Sequence, residues 1–236
     1  MSDWQALWDF GDAAGSERRF REAAGGASGV EALVLRTQVA RALGLQQEYD
    51  AAHRELDAVV SSEDPEVTVR HELERGRLHR SAGDPGAARP WFEAAARRAA
   101  DAGLEALHVD ALHMVALVAD PANQVRLTQE ALAVARGARA QQARDWDASL
   151  LNNLGMIHAD AGDFSAALAA FEEALAARER IGDPARTRVA RWMVGWALRN
   201  LGRREEALAV QRALRSELDA LGENDPYVDE ELALLG

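Results

Sequence analysis

The sequence predicts an all-α protein, a right-handed α-solenoid of stacked antiparallel helix pairs. Three observations lead to this fold class. Alanine, leucine, arginine and glutamate recur at helical spacing along most of the 236 residues, as in amphipathic helices. Alternating runs of β-branched and aromatic residues, which would indicate strands, are nearly absent. Small residues return at intervals of about forty residues, a period typical of stacked helical units.

Aspartate–proline pairs mark the beginnings of helices. Five of the six prolines follow an aspartate, as in Asp64-Pro65 and Asp183-Pro184. Such an aspartate accepts hydrogen bonds from free backbone N–H groups, and proline suits the first helical position. Pro90 is the exception. It falls inside the helix that Asp84 opens, and we expect it to kink that helix or to delay its start.

Glycines mark the ends of helices, because glycine adopts the left-handed conformation of a C-terminal turn at little cost. The glycines in this position are Gly44, Gly83, Gly162 and Gly202. Together with the starts, they predict helices over 30–43, 48–60, 66–81, 85–100, 103–119, 122–138, 142–161, 164–180, 184–201, 204–220 and 226–235.

The clearest repeated unit lies at 151–175. Leu154-Gly155, Gly162, Ala167, Phe171 and Ala174 stand in this unit at characteristic intervals. The pattern closely resembles the tetratricopeptide repeat. The small residue of the first helix lets the second helix approach, and the phenylalanine fills the space between successive helix pairs.

The same frame fits five units. Their small first-helix residues are Ala40, Gly76, Ala116, Gly155 and Gly195, which stand 36, 40, 39 and 40 residues apart. The matching second-helix residues are Ala52, Ala88, Thr128, Ala167 and Ala207. The packing positions that follow are Leu56, Phe92, Leu132, Phe171 and Gln211. Gln211 matches poorly, so we expect this face of the last second helix to meet solvent or a cap.

The period exceeds the usual length of about 34 residues and resembles that of the kinesin-light-chain-like group of these repeats. Two stretches look like signatures of that group, Asn152-Asn153-Leu154-Gly155 and the tail that begins at Leu221-Gly222. The resemblance covers roughly residues 30–236. It implies a groove that holds peptide segments or carboxylate tails.

Three regions follow along the chain. Residues 1–29 form an N-terminal helical segment that can be interpreted as a degenerate repeat, 30–221 form the five pairs, and 222–236 form a C-terminal capping helix. Trp4 and Trp8 are four residues apart, which would place both rings on one helix face. We interpret them as a cap on the first unit; the alternative is an exposed patch through which a homodimer forms.

Composition excludes several function classes. All 27 cationic side chains are arginine, so no lysine is available for a phosphate-binding loop or a Schiff base. The chain has no cysteine and a formal net charge of −12, which argues against thiolate chemistry and sequence-independent nucleic-acid binding. No apolar stretch is long enough to span a membrane, and no secretory signal is evident. We therefore expect a cytoplasmic protein without a cofactor.

No catalytic motif is present. The sequence lacks a nucleophile elbow, a dinucleotide-binding glycine pattern and a zinc-protease motif, so we expect no enzyme and no catalytic residue. His108, Asp110 and His113 invite interpretation as metal ligands. The two histidines are five residues apart on a helix and point in different directions, which argues against a metal site. His79 and His158 occupy packing positions within their units.

The inner surface of such an array is lined by first helices. We number the inward positions from the small residue of each first helix. They are −6, −3, −2, +1 and +4. The candidate binding residues at these positions are Arg41, Arg70, Arg77, Arg80, His113, Asn152, Asn153, Met156, Trp192, Trp196 and Arg199. We expect Arg77 and Asn153 to stand on the wall of the groove rather than in contacts between helices.

This set of side chains suits an extended peptide. Asparagine amides can hold a peptide backbone, arginines suit carboxylates, and tryptophans suit an apolar anchor. Structural alternatives remain open for part of the set. Arg70, Glu74 and Arg77 can satisfy one another along one helix, and the final helix can cover Trp192 and Trp196.

The leading hypothesis is therefore a non-enzymatic protein-interaction module that binds an acidic or carboxylate-bearing peptide in its concave groove. The alternative is a regulatory domain that senses a signalling peptide or small molecule and acts on a separate effector.

Overall fold

The structure is a computed structural model that describes residues 4–59 and 62–236. The chain divides into two compact units, Met1–Asn123 and Gln124–Gly236. The described residues contain no strand, so the all-α prediction is confirmed. The helices are α1 (Ala13–Gly26), α2 (Gly29–Leu45), α3 (Tyr49–Asp57), α4 (Pro65–Ser81), α5 (Pro85–Asp101), α6 (Glu105–Leu117), α7 (Pro121–Gly137), α8 (Gln141–Arg144), α9 (Asp147–Asp160), α10 (Phe164–Ile181), α11 (Pro184–Asn200), α12 (Arg204–Leu221) and α13 (Pro226–Leu235).

Aspartates cap the helices as the sequence predicted. The carboxylate of Asp64 accepts hydrogen bonds from the backbone N–H groups of Glu66 and Val67 at 2.9 and 3.1 Å. Asp84, Asp183 and Asp225 do the same at the starts of α5, α11 and α13. Each cap satisfies backbone donors that the first helical turn leaves without partners.

In two of the helix pairs, a glycine of the first helix faces an aromatic ring of the second. An added Cβ atom at Gly76 would lie 2.4 Å from the ring of Phe92, and one at Gly155 would lie 2.4 Å from the ring of Phe171. Both rings are fully buried. Only glycine leaves room for this contact, so the glycine and the ring together set how closely the two helices approach.

In the first unit, successive helices pack as neighbours: α1 on α2, α2 on α3 and α4, α4 on α5, and α5 on α6. One core cluster surrounds Phe20, Leu35 and Leu56, and a second surrounds Leu73 and Phe92.

The tryptophans near the N-terminus contact the first core cluster. The rings of Trp4 and Trp8 lie 6.5 and 4.9 Å from the ring of Phe20, an arrangement that fits a cap. The prediction that they share one helix face is wrong, because only Trp4–Leu7 form a short 3₁₀ helix and Trp8 follows it. The homodimer stays a prediction.

In the second unit, α9 packs on α10, α10 on α11, α11 on α12, and α12 on α13. The main core cluster surrounds Phe171, Val194 and Leu198. Ser149, near the start of α9, accepts a hydrogen bond from Arg178, near the end of α10, so these two helices run antiparallel.

Four predicted features differ in the structure. The helix expected over 142–161 is broken between α8 and α9, where the guanidinium of Arg144 turns back to the carbonyl of Ala138 at 3.1 Å. Gly44 does not end α2; it lies inside the helix against Leu78, and Gln47 takes the left-handed conformation. Of the two expectations for Pro90, the delayed start is wrong, because α5 begins at Pro85; the kink stays a prediction. Helix α3 ends at Asp57, and residue 60, its predicted end, lies outside the described residues.

Gln211 was expected to meet solvent or a cap, and the solvent alternative is wrong. Its side chain is fully buried and lies against Gly195, where an added Cβ atom would be 2.6 Å from Nε2. The glutamine thus fills the place that Phe171 fills against Gly155. Neither Nε2 nor Oε1 of Gln211 has a hydrogen-bond partner among the described residues, and a buried amide without partners destabilises a fold.

We therefore expect Gln211→Leu to raise the free energy of unfolding by about 1–3 kcal/mol, because it removes unsatisfied polar atoms at nearly constant volume. Urea unfolding followed by circular dichroism measures this change. The matched control is Gln38→Leu, since Gln38 is equally buried but accepts from Trp8 and donates to Thr37; this variant should lose stability. A destabilised Gln211→Leu protein would mean that the amide has partners in solution.

Candidate functional site

The predicted binding residues divide between the two units. We call the inward-position residues on α2, α4 and α6 the unit 1 surface, and those on α9 and α11, together with the exposed side chains of α13, the unit 2 surface. Arg41, Arg70, Arg77, Arg80 and His113 belong to the unit 1 surface. Asn152, Asn153, Met156, Trp192, Trp196 and Arg199 belong to the unit 2 surface.

A network of charged side chains connects the helices of the unit 1 surface. The guanidinium of Arg77 on α4 donates to both carboxylate oxygens of Asp110 on α6, at 2.6 and 2.7 Å. It also donates to Glu74 on its own helix at 2.5 Å. Glu74 and Asp110 are buried, at 3% and 7% exposure. Arg77 therefore ties two helices together, which corrects the expectation that it stands on the wall of a groove.

The protonation states in this network follow from the ion pairs. Burial by itself would lower the pKa of Arg77, but the carboxylates of Asp110 and Glu74 outweigh burial and raise it. Burial would likewise raise the pKa of Asp110, but Arg77 and Arg41 outweigh it and lower that pKa. Burial lowers the pKa of His113 to about 4, so this imidazole is neutral at physiological pH.

Two further arginines of the unit 1 surface contact the N-terminal segment. The guanidinium carbon of Arg41 lies 5.7 Å from the ring centroid of Trp8, and that of Arg70 lies 4.8 Å from the ring of Trp4. Arg70 also pairs with Glu66 at 2.8 Å.

Arg80 differs from these residues. It is exposed and has no carboxylate within salt-bridge distance in residues 4–59 and 62–236.

On the unit 2 surface, Asn152, Asn153 and Met156 are half-buried side chains of α9. Met156 packs against the core cluster around Phe171. Met156 stands four residues after Asn152 and three after Asn153, so its side chain neighbours both amides on the helix surface. This face presents two amides beside an apolar side chain.

The C-terminal helix partly covers the other predicted residues of this surface. The rings of Trp192 and Trp196 stack with centroids 6.3 Å apart, and Trp192 meets the ring of Tyr227 on α13 at 6.1 Å. Arg199 donates two hydrogen bonds of 2.8 Å to the carboxylate of Glu231, which is 3% exposed. Arg199 is therefore neutralised by the chain itself.

Sequence reasoning missed three exposed apolar residues of the unit 2 surface. Val189, Tyr227 and Leu234 are 58%, 65% and 54% exposed. Val189 could have been found, because it stands six residues before Gly195, one of the inward positions. The positions of Tyr227 and Leu234 depend on how α13 packs on α11 and α12, for which the sequence gives no repeat frame.

The part of the chain that the structure describes holds no cluster of three or more histidine, aspartate or glutamate side chains placed to bind a metal ion. His113 lies beside Asp110, in the charged network rather than in a ligand set with His108. No described helix combines the length and apolar character that a membrane crossing requires.

Comparison with known proteins agrees with this geometry. Residues 146–215 match the family model described as tetratricopeptide repeat. That segment includes α9, α10 and α11 and most of α12, the helices that carry Gly155, Phe171 and Gly195. No curated protein matches the sequence.

Solved structures share the fold at low sequence identity. BtubC (BKLC) from P. vanneervenii matches with a TM-score of 0.65 and 18% identity, over 96% of this chain and 95% of that chain. Kinesin light chain TPR-like repeats from Podosopora anserina match with a TM-score of 0.61 and 16% identity, over 79% and 94% of the two chains. A STAND protein with a tetratricopeptide repeat sensor from Pyrococcus horikoshii gives 0.72 and 13%, over 94% of this chain and 36% of that one.

The family match over residues 146–215 and the helix-pair architecture support a tetratricopeptide repeat fold for this chain. Kinesin-light-chain-type repeats are among the structures that share its fold.

The charged network of the unit 1 surface gives a stability prediction. Arg77→Met should lower the free energy of unfolding by about 3–5 kcal/mol, because it leaves two buried carboxylates without their cation. Arg80→Met, on the same helix, should change stability by less than about 0.5 kcal/mol, since Arg80 is exposed and has no ion pair. Urea unfolding compares the two. Equal stability of the two variants would show that Arg77 does not hold α4 and α6 together.

Proposed function

We propose that this chain is a non-enzymatic interaction module that binds an extended peptide segment of a partner protein on the unit 2 surface. The tetratricopeptide repeat fold suggests protein–protein interaction, and proteins of this family are generally interaction modules without enzymatic activity. One observation carries the choice of surface: the exposed apolar side chains of Val189, Tyr227 and Leu234 lie on α11 and α13, and the ring of Tyr227 meets the half-buried Trp192 of α11.

The exposed apolar residues would anchor one side chain of the peptide. Val189, Tyr227 and Leu234 each leave more than half of their surface in water. A peptide side chain placed between Val189 and Trp196 would remove apolar area from water on both sides. Covering a valine-sized side chain is worth about 1.5 kcal/mol, so a few such contacts give a useful affinity.

The two asparagines would bind the peptide backbone, a contribution to affinity that does not depend on the peptide sequence. A primary amide both donates and accepts hydrogen bonds, so Asn152 and Asn153 can pair with the carbonyl and N–H groups of an extended backbone. The amides fix the direction of the peptide, while the apolar residues select its anchoring side chain.

The pairing of the inward arginines limits how acidic the bound peptide can be. Arg41, Arg77 and Arg199 meet the carboxylates of Glu74, Asp110 and Glu231, and they offer little free positive charge. The net charge of −12 also repels a strongly acidic segment. We therefore propose a peptide with one carboxylate or a few, and not a long acidic run.

The same net charge disfavours nucleic acid as a partner. Because a chain without cysteine fits a reducing compartment, we propose the cytoplasm as its location.

The test uses random peptides of about twelve residues displayed on phage and selected on the wild-type protein. Peptides that bind should share a large apolar residue. Val189→Asp should weaken their binding in calorimetric titration about tenfold or more, because one lost apolar contact of about 1.5 kcal/mol corresponds to that factor.

The matched control for this test is Val30→Asp, since Val30 is an exposed valine in the other unit; its affinity should equal that of wild type. A second variant, Asn153→Ala, should weaken binding equally at low and high salt, because its hydrogen bonds are neutral and short-ranged. Selected peptides that bind Val189→Asp as tightly as wild type would place the binding surface elsewhere.

A further inference from the structure

Arg75 on α4 connects its own helix to α3 through side chains that can change their charge. Its Nη1 atom donates a hydrogen bond to Nδ1 of His53 on α3 at 2.6 Å. Its Nε atom donates to Nε2 of His71, one turn earlier on α4, at 3.4 Å. Its Nη2 atom pairs with the carboxylate of Asp57 on α3. One guanidinium thus contacts two histidines and one aspartate on two neighbouring helices.

The direction of these hydrogen bonds fixes the charge of both imidazoles. An arginine side chain only donates, so the ring nitrogens that face Arg75 must each keep a free lone pair. Both histidines are therefore neutral in this arrangement. A proton added to either nitrogen would remove the acceptor and place a second positive charge beside the guanidinium. His71 has little room to turn away, because it is buried and its ring centroid lies 5.9 Å from that of Trp91 on α5.

The groups around His53 favour its neutral form. Burial, the charge of Arg75 and the nearby imidazole of His79 lower the pKa of His53. The rings of His53 and His79 are 5.6 Å apart. The carboxylates of Asp57 and Asp50 act in the opposite direction, but the first three effects outweigh them.

The groups around His71 have a larger effect of the same sign. Burial and the charge of Arg75 lower the pKa of His71 to about 4, although Asp57 opposes them. Glu72, the next residue of α4, pairs with Arg98 of α5 at 3.1 Å. The charged residues that face α3 and α4 from α1, α2 and α6 are paired among themselves, as Arg21 and Arg36 with Glu55, Arg41 with Glu74, and Asp110 with Arg77.

Helix α3 is the element that this contact holds in place. It has nine residues, and a helix of that length is not stable by itself in water. The side chains of Ala52 and Leu56 are its fully buried apolar residues. Because so few residues anchor α3, the contacts of Arg75 with His53 and Asp57 supply a substantial part of what keeps it on α4.

We propose that Arg75, His53 and His71 form an acid-sensitive contact that keeps α3 on α4 at neutral pH and releases α3 when the imidazoles are protonated. Release uncovers Leu56, which is fully buried in the closed form. Acid would thereby change the surface that the first unit offers to other molecules. The acid-sensitive contact lies in the first unit and is independent of the proposed peptide surface.

The direction of the pH effect follows from the two states. In the released state the imidazoles take up protons near the ordinary pKa of 6.5, whereas in the closed state His71 does so only near a pKa of about 4. The released state therefore binds more protons between these values. The preference for the closed state is complete above pH 6.5 and is lost progressively as the pH falls toward 4.

Hydrogen exchange of the whole chain, followed by mass spectrometry, measures the release of α3. After correction for the pH dependence of the intrinsic exchange rate, protection of the α3 amides should fall about tenfold or more between pH 7 and pH 5, since the lowered pKa of His71 alone has that effect. Protection of α12 is the internal control. It should stay unchanged, because α12 and its neighbours α11 and α13 contain no histidine.

A variant that cannot be protonated tests the role of the imidazoles. In the double variant His53→Asn, His71→Gln, the amide oxygens take the places of Nδ1 and Nε2 and still accept from Arg75. Protection of α3 at pH 5 should then equal its value at pH 7. The matched control is His158→Gln, because His158 is a half-buried histidine of the other unit; it should respond to acid as wild type does.

A second measurement does not depend on the folding of a variant. In ¹H–¹³C spectra of the wild-type imidazoles, His71 should titrate well below the ordinary histidine pKa of 6.5.

Three results would overturn the proposal. They are a His71 that titrates near its ordinary pKa, an equal loss of protection in α3 and α12, and a double variant that loses α3 protection at pH 5 as wild type does. An equal loss in α3 and α12 would show acid unfolding of the whole chain in place of a local release.

Discussion

The close contact between a small residue on one helix and a large side chain on the next is the constraint on which the rest of each unit depends. Gly76 against Phe92 and Gly155 against Phe171 leave no space for a Cβ atom. A ring that rests on a bare backbone fixes both the separation of the two helices and the rotation of the first helix about its axis. That rotation decides which residues of the first helix point away from its partner. The inward positions are therefore a consequence of the packing.

The same rotation explains why charged residues gather on the unit 1 surface. Arg77 stands one residue after Gly76, and Asp110 stands six before Ala116, so both occupy inward positions on neighbouring first helices. Burial makes an unpaired charge costly in such a place, and the buried carboxylates of Glu74 and Asp110 both pair with Arg77. The chain uses most of its inward arginines to hold its own helices together. Under the proposed function, recognition of the peptide therefore depends on the exposed apolar side chains and the amides of the unit 2 surface.

Much of the fold could be predicted because its signals are local. The aspartate–proline pairs and the spacing of small residues lie within a few residues of the features they specify, and Asp64, Gly76 and Gly155 behave as expected. Other features depend on residues that are distant in sequence. Arg77 and Asp110 are 33 residues apart, and nothing local marks them as partners. Gln211 is polar and was therefore not expected in the core. The position that it occupies in the repeat is nevertheless buried.

The candidate site was less predictable for the same reason. The inward positions could be counted from the small residues, and Asn152, Asn153 and Trp196 lie on α9 and α11, which both pack on α10. Whether a given arginine is free depends on carboxylates contributed by other helices, as with Arg199 and Glu231.

The most direct test of this account compares two glycine-to-alanine variants of the second unit by urea unfolding. Gly155→Ala places a Cβ atom 2.4 Å from the ring of Phe171, whereas Gly137→Ala, in the last position of α7, meets nothing within 4 Å. Overpacking at Gly155 should cost about 1–3 kcal/mol, and the substitution at Gly137 should be neutral or stabilising by up to about 1 kcal/mol. A Gly155→Ala protein as stable as Gly137→Ala would contradict the claim that this contact sets the spacing of the helices.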